Sequence, residues 1–198
     1  DQEAAYQSLL RDYEKKDAST ALLYGVTGSG KTQVYLKLIA KAVEEGRQAI
    51  VLVPEISLTP QAIAAFTAVF GGRVAIQHSG LSLGERMDQW KKIRAGQVSI
   101  AVGTRSAIFA PFTNLGLIVL DEEQEHTYKS EASPRFHARD VAKFRSAQNN
   151  CLLVLASATP SVESYYYAQK GAYHLVCLKK RFGGALMPKV GIVDMGRE

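Results

Sequence analysis

The stretch Leu22-Leu23-Tyr24-Gly25-Val26-Thr27-Gly28-Ser29-Gly30-Lys31-Thr32 limits what this chain can fold into more than any other. A short apolar run enters a glycine-rich loop that closes on Lys-Thr, and a helical pattern begins at once. This is the Gly-x-x-x-x-Gly-Lys-[Ser/Thr] pattern in the strand–loop–helix context that it requires. Its glycines admit backbone conformations and close approaches that a Cβ would block. Successive N–H groups from Gly25 through Thr27, Gly28, Ser29 and Gly30 can then face a phosphate, helped by the positive end of the following helix. Lys31 is expected to reach the β- and γ-phosphates, and the Thr32 hydroxyl to hold Mg²⁺.

The rest of the chain supplies the fold in which such a loop works. Short apolar strands are expected at 21–24, 48–53, 73–77, 98–102, 116–120, 152–156 and 173–178. Helices are expected at 3–15, 31–45, 60–70, 82–95, 137–147 and 160–170. Ser82 and Glu85 form a capping box, while Thr59-Pro60 makes an N-cap followed by a first-turn proline. Strands that are apolar on both faces and alternate with helices mean an α/β, mostly parallel sheet covered by helices on both faces. Ligand groups in such a sheet gather at the carboxyl ends of the strands. In agreement, every polar signature in this sequence directly follows a strand.

Composition adds limits rather than identity. The net charge of +5, from 24 basic and 19 acidic residues, leans mildly towards a polyanionic partner. Cys151 and Cys177 both lie in apolar runs and read as buried free thiols, too few for a structural zinc site. No apolar run is long enough to cross a membrane and no signal-peptide pattern opens the chain, which points to a cytoplasmic setting with no membrane partner. The chain opens at Asp1 without Met, so it reads as a piece of a longer protein.

The strand ends carry the chemistry. Leu117-Ile118-Val119-Leu120-Asp121-Glu122 is an apolar strand ending in two acids. Asp121 is expected to hold Mg²⁺ and Glu122 to orient and deprotonate the attacking water. With Lys31 they form the expected catalytic set, whereas Glu123 reads as a solvated or loop-pairing charge. Ser157-Ala158-Thr159 offers two hydroxyls near the γ-phosphate end, and equally reads as a simple cap before Pro160. Gly103-Thr104-Arg105-Ser106 suits a sugar-phosphate backbone as well as it suits an exposed turn. The segment from Glu125 to Arg139 mixes cations with aromatics and can stack bases, although a solvated loop fits its composition equally.

Taken together, these motifs resemble the first RecA-like lobe of the superfamily 2 DNA helicases, and among them the bacterial replication-restart helicases. The carrying stretches are Tyr24 to Thr32, Val53-Pro54-Glu55-Ile56-Ser57-Leu58-Thr59-Pro60-Gln61, and His78-Ser79-Gly80-Leu81-Ser82 with Glu85, Arg86 and Trp90. Gly103 to Phe112, Asp121-Glu122-Glu123, Tyr128 to Asp140 and Ser157-Ala158-Thr159-Pro160-Ser161 complete the match, which covers nearly the whole chain. The resemblance implies an ATP- and Mg²⁺-dependent DNA helicase moving 3′ to 5′, with residues 1–180 as its ATP-binding lobe. Residues 181–198 would begin the linker to a second lobe, absent here, which would carry the zinc and the arginine finger.

By the same resemblance, Gly103, Thr104, Arg105, Ser106, Tyr128, Lys129, Arg135, Phe136 and Arg139 would contact DNA. Ser157, Ala158 and Thr159 would couple the γ-phosphate to lobe movement, and Gln2 would contribute an adenine contact. The implied partners are stalled forks and single-stranded DNA, together with primosome and single-stranded DNA-binding proteins. One position departs from the family pattern: Gln124 stands where the acidic motif usually carries His. An amide donates and accepts hydrogen bonds but cannot titrate, which leaves the link from the acids to Ser157 open. The lobe alone is expected to have little or no ATPase activity.

Overall fold

The computed structural model describes residues 1–181. Helix α1 (Gln2–Glu14) precedes β1 (Thr20–Gly25), α2 (Lys31–Glu44), β2 (Gln48–Leu52), α3 (Pro60–Phe70), β3 (Val74–Gln77) and α4 (Leu83–Arg94). There follow β4 (Ile100–Gly103), β5 (Leu115–Asp121), α5 (Ala138–Asn149), β6 (Leu152–Ser157), α6 (Val162–Gln169) and β7 (His174–Leu178). The strands form one sheet in the order β3-β4-β2-β5-β6-β1-β7, and every pairing is parallel.

Strand periodicity divides the core in two. Ala21, Leu23, Ala49, Val51, Leu117, Val119, Leu152 and Val154 face α1, α2 and α3, and all are buried. Their neighbours Leu22, Ile50, Leu52, Ile118, Leu120, Leu153 and Leu155 face α4, α5 and α6. A strand that packs on both sides has no polar face, hence the unbroken apolar runs of the sequence. The capping box of α4 forms with both of its hydrogen bonds, and Thr59 caps α3 as expected.

Three expectations need correction. Cys151 is buried but Cys177 is exposed, because β7 is an edge strand on β1 with alternate residues turned to solvent. Helix α6 begins at Val162 rather than Pro160, since Ser161 is its cap and accepts from Ser164 N. Gly103 closes β4 and does not open the following loop. It is paired with Gln77, and a Cβ there would stand 1.9 Å from Gln77 O and 2.8 Å from Ala107 Cβ. Residues 182–198, which hold nearly all of the expected linker, lie outside the described residues.

This close approach can be tested. Gly103→Ala must push β3 from β4 and is expected to cost about 1–3 kcal/mol, as overpacking does. Urea denaturation would read this as a lower midpoint, whereas a glycine needed only for a nucleic-acid contact would leave the midpoint in place.

Candidate nucleotide-binding site

The carboxyl ends of β1 and β5 meet α1 and α2 around a cavity of about 550 Å³, lined by Gln2, Thr27, Gly28, Lys31, Thr32 and Glu122 among others. Gly30 caps α2 in the left-handed conformation, φ +86°, where a Cβ would also stand 1.9 Å from Gln2 Nε2. Only glycine meets both conditions. Gln2, in the first turn of α1, donates to Ser29 O at 2.9 Å and so ties α1 to the loop. The Lys31 ammonium is buried and donates to Gly25 O at 2.8 Å, across the loop from its own helix. Ser29 Oγ is buried without a hydrogen-bond partner among the described residues. A desolvated cation and an orphaned hydroxyl inside a loop of backbone N–H donors fit a polyanionic ligand such as a nucleotide phosphate.

Asp121 and Glu122 enter from β5. Asp121 Oδ2 accepts from the Tyr35 hydroxyl at 2.9 Å and Oδ1 from Glu122 N at 3.1 Å. Desolvation at the strand end raises the Asp121 pKa above the ordinary range. A bound divalent cation would restore the charged form that burial penalises, so the carboxylate fits a metal as its neighbours fit phosphate. Burial, with Asp121 alongside, also pushes the Tyr35 phenol well above its usual pKa. Glu122 adopts φ +47°, a left-handed conformation uncommon outside glycine.

Gln124 hydrogen-bonds on both sides of the gap between the acids and Ser157. Its Nε2 donates to Glu122 Oε2 at 2.9 Å while its Oε1 accepts from Ser157 Oγ at 2.6 Å. Ser157 Oγ in turn accepts from Thr159 N at 2.9 Å. The bridge needs one donor and one acceptor on the same group, which an amide supplies without titrating. Of this segment, Ser157 is buried, Ala158 half-buried and Thr159 exposed.

Glu123 is not a solvated charge. Its side chain is fully buried and accepts from Arg139 Nη1 at 3.0 Å, Ser161 N at 2.7 Å and Ser164 Oγ at 2.9 Å. Arg139, expected at a DNA face, is therefore committed to the core between α5 and α6, where it also meets Ser161 Oγ at 2.8 Å. Tyr128 is likewise 1% exposed, with its hydroxyl on the carbonyls of Leu52 and Asp121, and cannot stack a base. Gly103 and Thr104 are buried as well.

A smaller group of the expected DNA contacts reaches the surface. Ser106, Lys129 and Arg135 are exposed, and Arg105 and Phe136 half-buried. Arg105 Nη1 donates to Thr127 O at 3.1 Å and Lys129 O at 3.3 Å, clasping the loop that follows the acids. That loop closes on itself through Ser130 N to Phe136 O at 2.8 Å. Phe136 packs edge-on to Phe109, 5.0 Å between centroids, and Phe109 is 53% exposed.

Residues 1–166 match the family model described as DEAD/DEAH box helicase. The chain belongs to the DEAD/DEAH box helicase family. It is 52% identical over 198 residues to replication restart protein PriA of Bacillus subtilis, covering 100% of this chain and 25% of that protein. It is 47% identical over 182 residues to PriA of Synechocystis, covering 89% of this chain and 22% of that protein. The chain thus spans about a quarter of the length of the relatives it matches.

Among solved structures it is similar to RecG bound to a three-way DNA junction, with TM-score 0.64, 25% identity, and 90% of this chain against 23% of that one. The Pyrococcus furiosus Hef helicase domain, at TM-score 0.61 and 19% identity over 90% of this chain and 38% of that one, bears on the fold alone. The fold of this helicase-family chain is the RecA-like α/β fold, and members of the family use a nucleotide.

Two of the residues described above escaped the sequence. Tyr35 lies three positions after Thr32 on the core face of α2, and that spacing was the available signal. Glu123 gave none, because its partners are 16 to 41 residues away.

The Glu123–Arg139 pair predicts a stability effect. Arg139→Ala would leave a buried carboxylate unpaired and is expected to destabilise the lobe by about 3–5 kcal/mol in urea unfolding. Loss of DNA affinity at unchanged stability would instead restore Arg139 to the nucleic-acid face.

Proposed function

We propose that this chain is the nucleotide-binding lobe of an ATP-dependent DNA helicase that acts in replication restart and primosome assembly, moving 3′ to 5′. The observation that carries the reading is the unbroken set of hydrogen bonds from Glu122 through Gln124 to Ser157 and Thr159, beside the Asp121–Tyr128 contact. The first path leads from the candidate catalytic acid to the segment after β6, and the second leads to the basic, aromatic loop clasped by Arg105. A site built only to hold a nucleotide needs neither path. The similarity to PriA proteins over the whole chain supports the replication-restart setting. RecG bound to a DNA junction supports DNA as the partner.

In this reading Lys31 neutralises phosphate charge in the loop, with Gly25, Thr27, Gly28, Ser29 and Gly30 supplying backbone donors. Thr32 and Asp121 would hold Mg²⁺, whose charge stabilises the charge that builds on the phosphate oxygens. Glu122 receives the proton of the attacking water, held in place by Gln124. Gln2 meets the adenine edge from α1. Ser106, Lys129 and Arg135 carry the DNA contact, with Arg105 and Phe136 behind them. Ser157, Ala158, Thr159 and Gln124 pass the state of the site to a second lobe, which would bring the arginine finger and a zinc site. Stalled forks, single-stranded DNA, primosome proteins and single-stranded DNA-binding protein are the partners of the full-length protein in the cytoplasm. Among the described residues no helix is long and apolar enough to cross a membrane.

Point variants of the full-length protein test this directly. Glu122→Gln is expected to keep nucleotide and DNA binding while ATP turnover falls by about 10²-fold or more, the scale of a lost general base. Lys31→Ala should lose nucleotide binding itself. Strand separation that survives Glu122→Gln would replace the motor with a DNA-recognition module in which the nucleotide only switches shape. The lobe alone should show negligible turnover, because an arginine finger contributes about 10³-fold or more. Robust DNA-stimulated hydrolysis by these 198 residues would contradict that assignment.

A further inference from the structure

Tyr35 donates directly to the side-chain carboxylate of the candidate metal ligand Asp121, and the sequence pattern gives it no role. It lies three residues after Thr32, so the two share a face of α2. Side chains on a helix lean towards its N-terminus, which carries the Tyr35 phenol back under the phosphate loop. There the hydroxyl donates to Asp121 Oδ2 at 2.9 Å. The ring is 2% exposed and packed among α1, α2 and the sheet. A phenylalanine would fill the same volume. The hydroxyl is stable in that position only because it has this partner.

The arrangement answers a geometric problem of the sheet. Thr32 follows β1 and Asp121 ends β5, and β6 runs between those two strands. The ladders fix the backbones, with Asp121 opposite Ala156 and Tyr24 opposite Ser157. They do not fix the torsion of the Asp121 carboxylate. Glu122 N holds one of its oxygens and Tyr35 the other, so rotation of the group is blocked. Each oxygen keeps a second lone pair for a cation or its water.

We propose that Tyr35 is a positioning residue for the divalent cation, its hydroxyl setting the orientation of Asp121 against Thr32. The proposal rests on the nucleotide-site reading above. Removing such an outer contact typically lowers metal affinity by about 10–100-fold.

The test is Tyr35→Phe in the full-length protein, with binding of a fluorescently labelled ADP followed as Mg²⁺ is titrated against EDTA. The expected result is a Mg²⁺ midpoint raised by about tenfold, with affinity in EDTA within about twofold of the parent. Thermal unfolding of the same variant reads packing separately. A midpoint shift below about threefold, with or without lost stability, would mean that the hydroxyl merely satisfies itself in the core and would overturn the proposal. If the parent protein bound no labelled ADP, the nucleotide-site reading would fail first and take the proposal with it, whereas ADP binding with no dependence on Mg²⁺ would overturn the proposal alone. Asp121→Asn separates the cases, since it should abolish the Mg²⁺ dependence that Tyr35→Phe only weakens.

Discussion

A parallel sheet buried on both faces has one place left for polar chemistry, the rim at the carboxyl ends of its strands. Here both faces are sealed: of the six residues of β6 and the first six of β5, every one is buried. A charge placed along the length of such a strand would need a partner that the apolar faces cannot give. At the rim, by contrast, loops supply N–H donors and helix starts supply a positive potential. The phosphate loop, the acids of β5, the Arg105 turn and Ser157 are therefore neighbours by consequence of the fold. Their spread through the sequence, from Gly25 to Thr159, is the spread of strand ends.

Within that frame, the legible residues are those whose role is set by local backbone. The glycines around Ser29, the lysine that closes the loop and the two acids ending an apolar strand are visible because each depends on neighbours a few positions away. Fold class and strand order along the chain follow from the same short-range periodicity. Positions whose meaning depends on distant partners resist such reading. Glu123 looks like any loop carboxylate until α5 and α6 close over it, and Arg139 looks like a surface cation until it meets Glu123. Tyr128 reads as a stacking aromatic, yet its hydroxyl bonds the Leu52 carbonyl 76 residues away. Arg139 and Tyr128 leave the expected DNA face because each has an internal partner, and Gly103 and Thr104 because they are buried at the end of β4.

Gln124 shows the reverse case, in which a departure from pattern still makes one donor and one acceptor hydrogen bond. A histidine there would offer two ring nitrogens, one donor and one acceptor when neutral. The amide offers the same pair, and both are used, on Glu122 and on Ser157. What the substitution removes is protonation near neutral pH. The hydrogen-bonded link between the acid and the β6 segment consequently carries no charge change of its own.

The conformation of Glu122 ties these threads together. Along β5, Leu117 and Val119 face α2, so Asp121 falls on that side and meets Tyr35. Continued strand geometry would turn Glu123 to the same side, because alternate residues share a face. Glu123 instead meets Arg139 of α5 and Ser164 of α6, on the opposite face of the sheet. The left-handed Glu122, at φ +47°, is the residue that makes this reversal. Such a conformation costs a non-glycine residue about 1–3 kcal/mol and persists only where surrounding bonds over-determine it. Those bonds are present: Glu122 N to Asp121 Oδ1, Glu123 N to Ala156 O, Glu125 N to Glu122 O and Gln124 Nε2 to the Glu122 carboxylate. Three consecutive carboxylates thereby take three environments, one held by the Tyr35 hydroxyl, one open to the cavity, and one neutralised in the core. Had all three faced the cavity, three like charges would have crowded one opening, and their mutual repulsion would have disfavoured the charged forms that attract a cation.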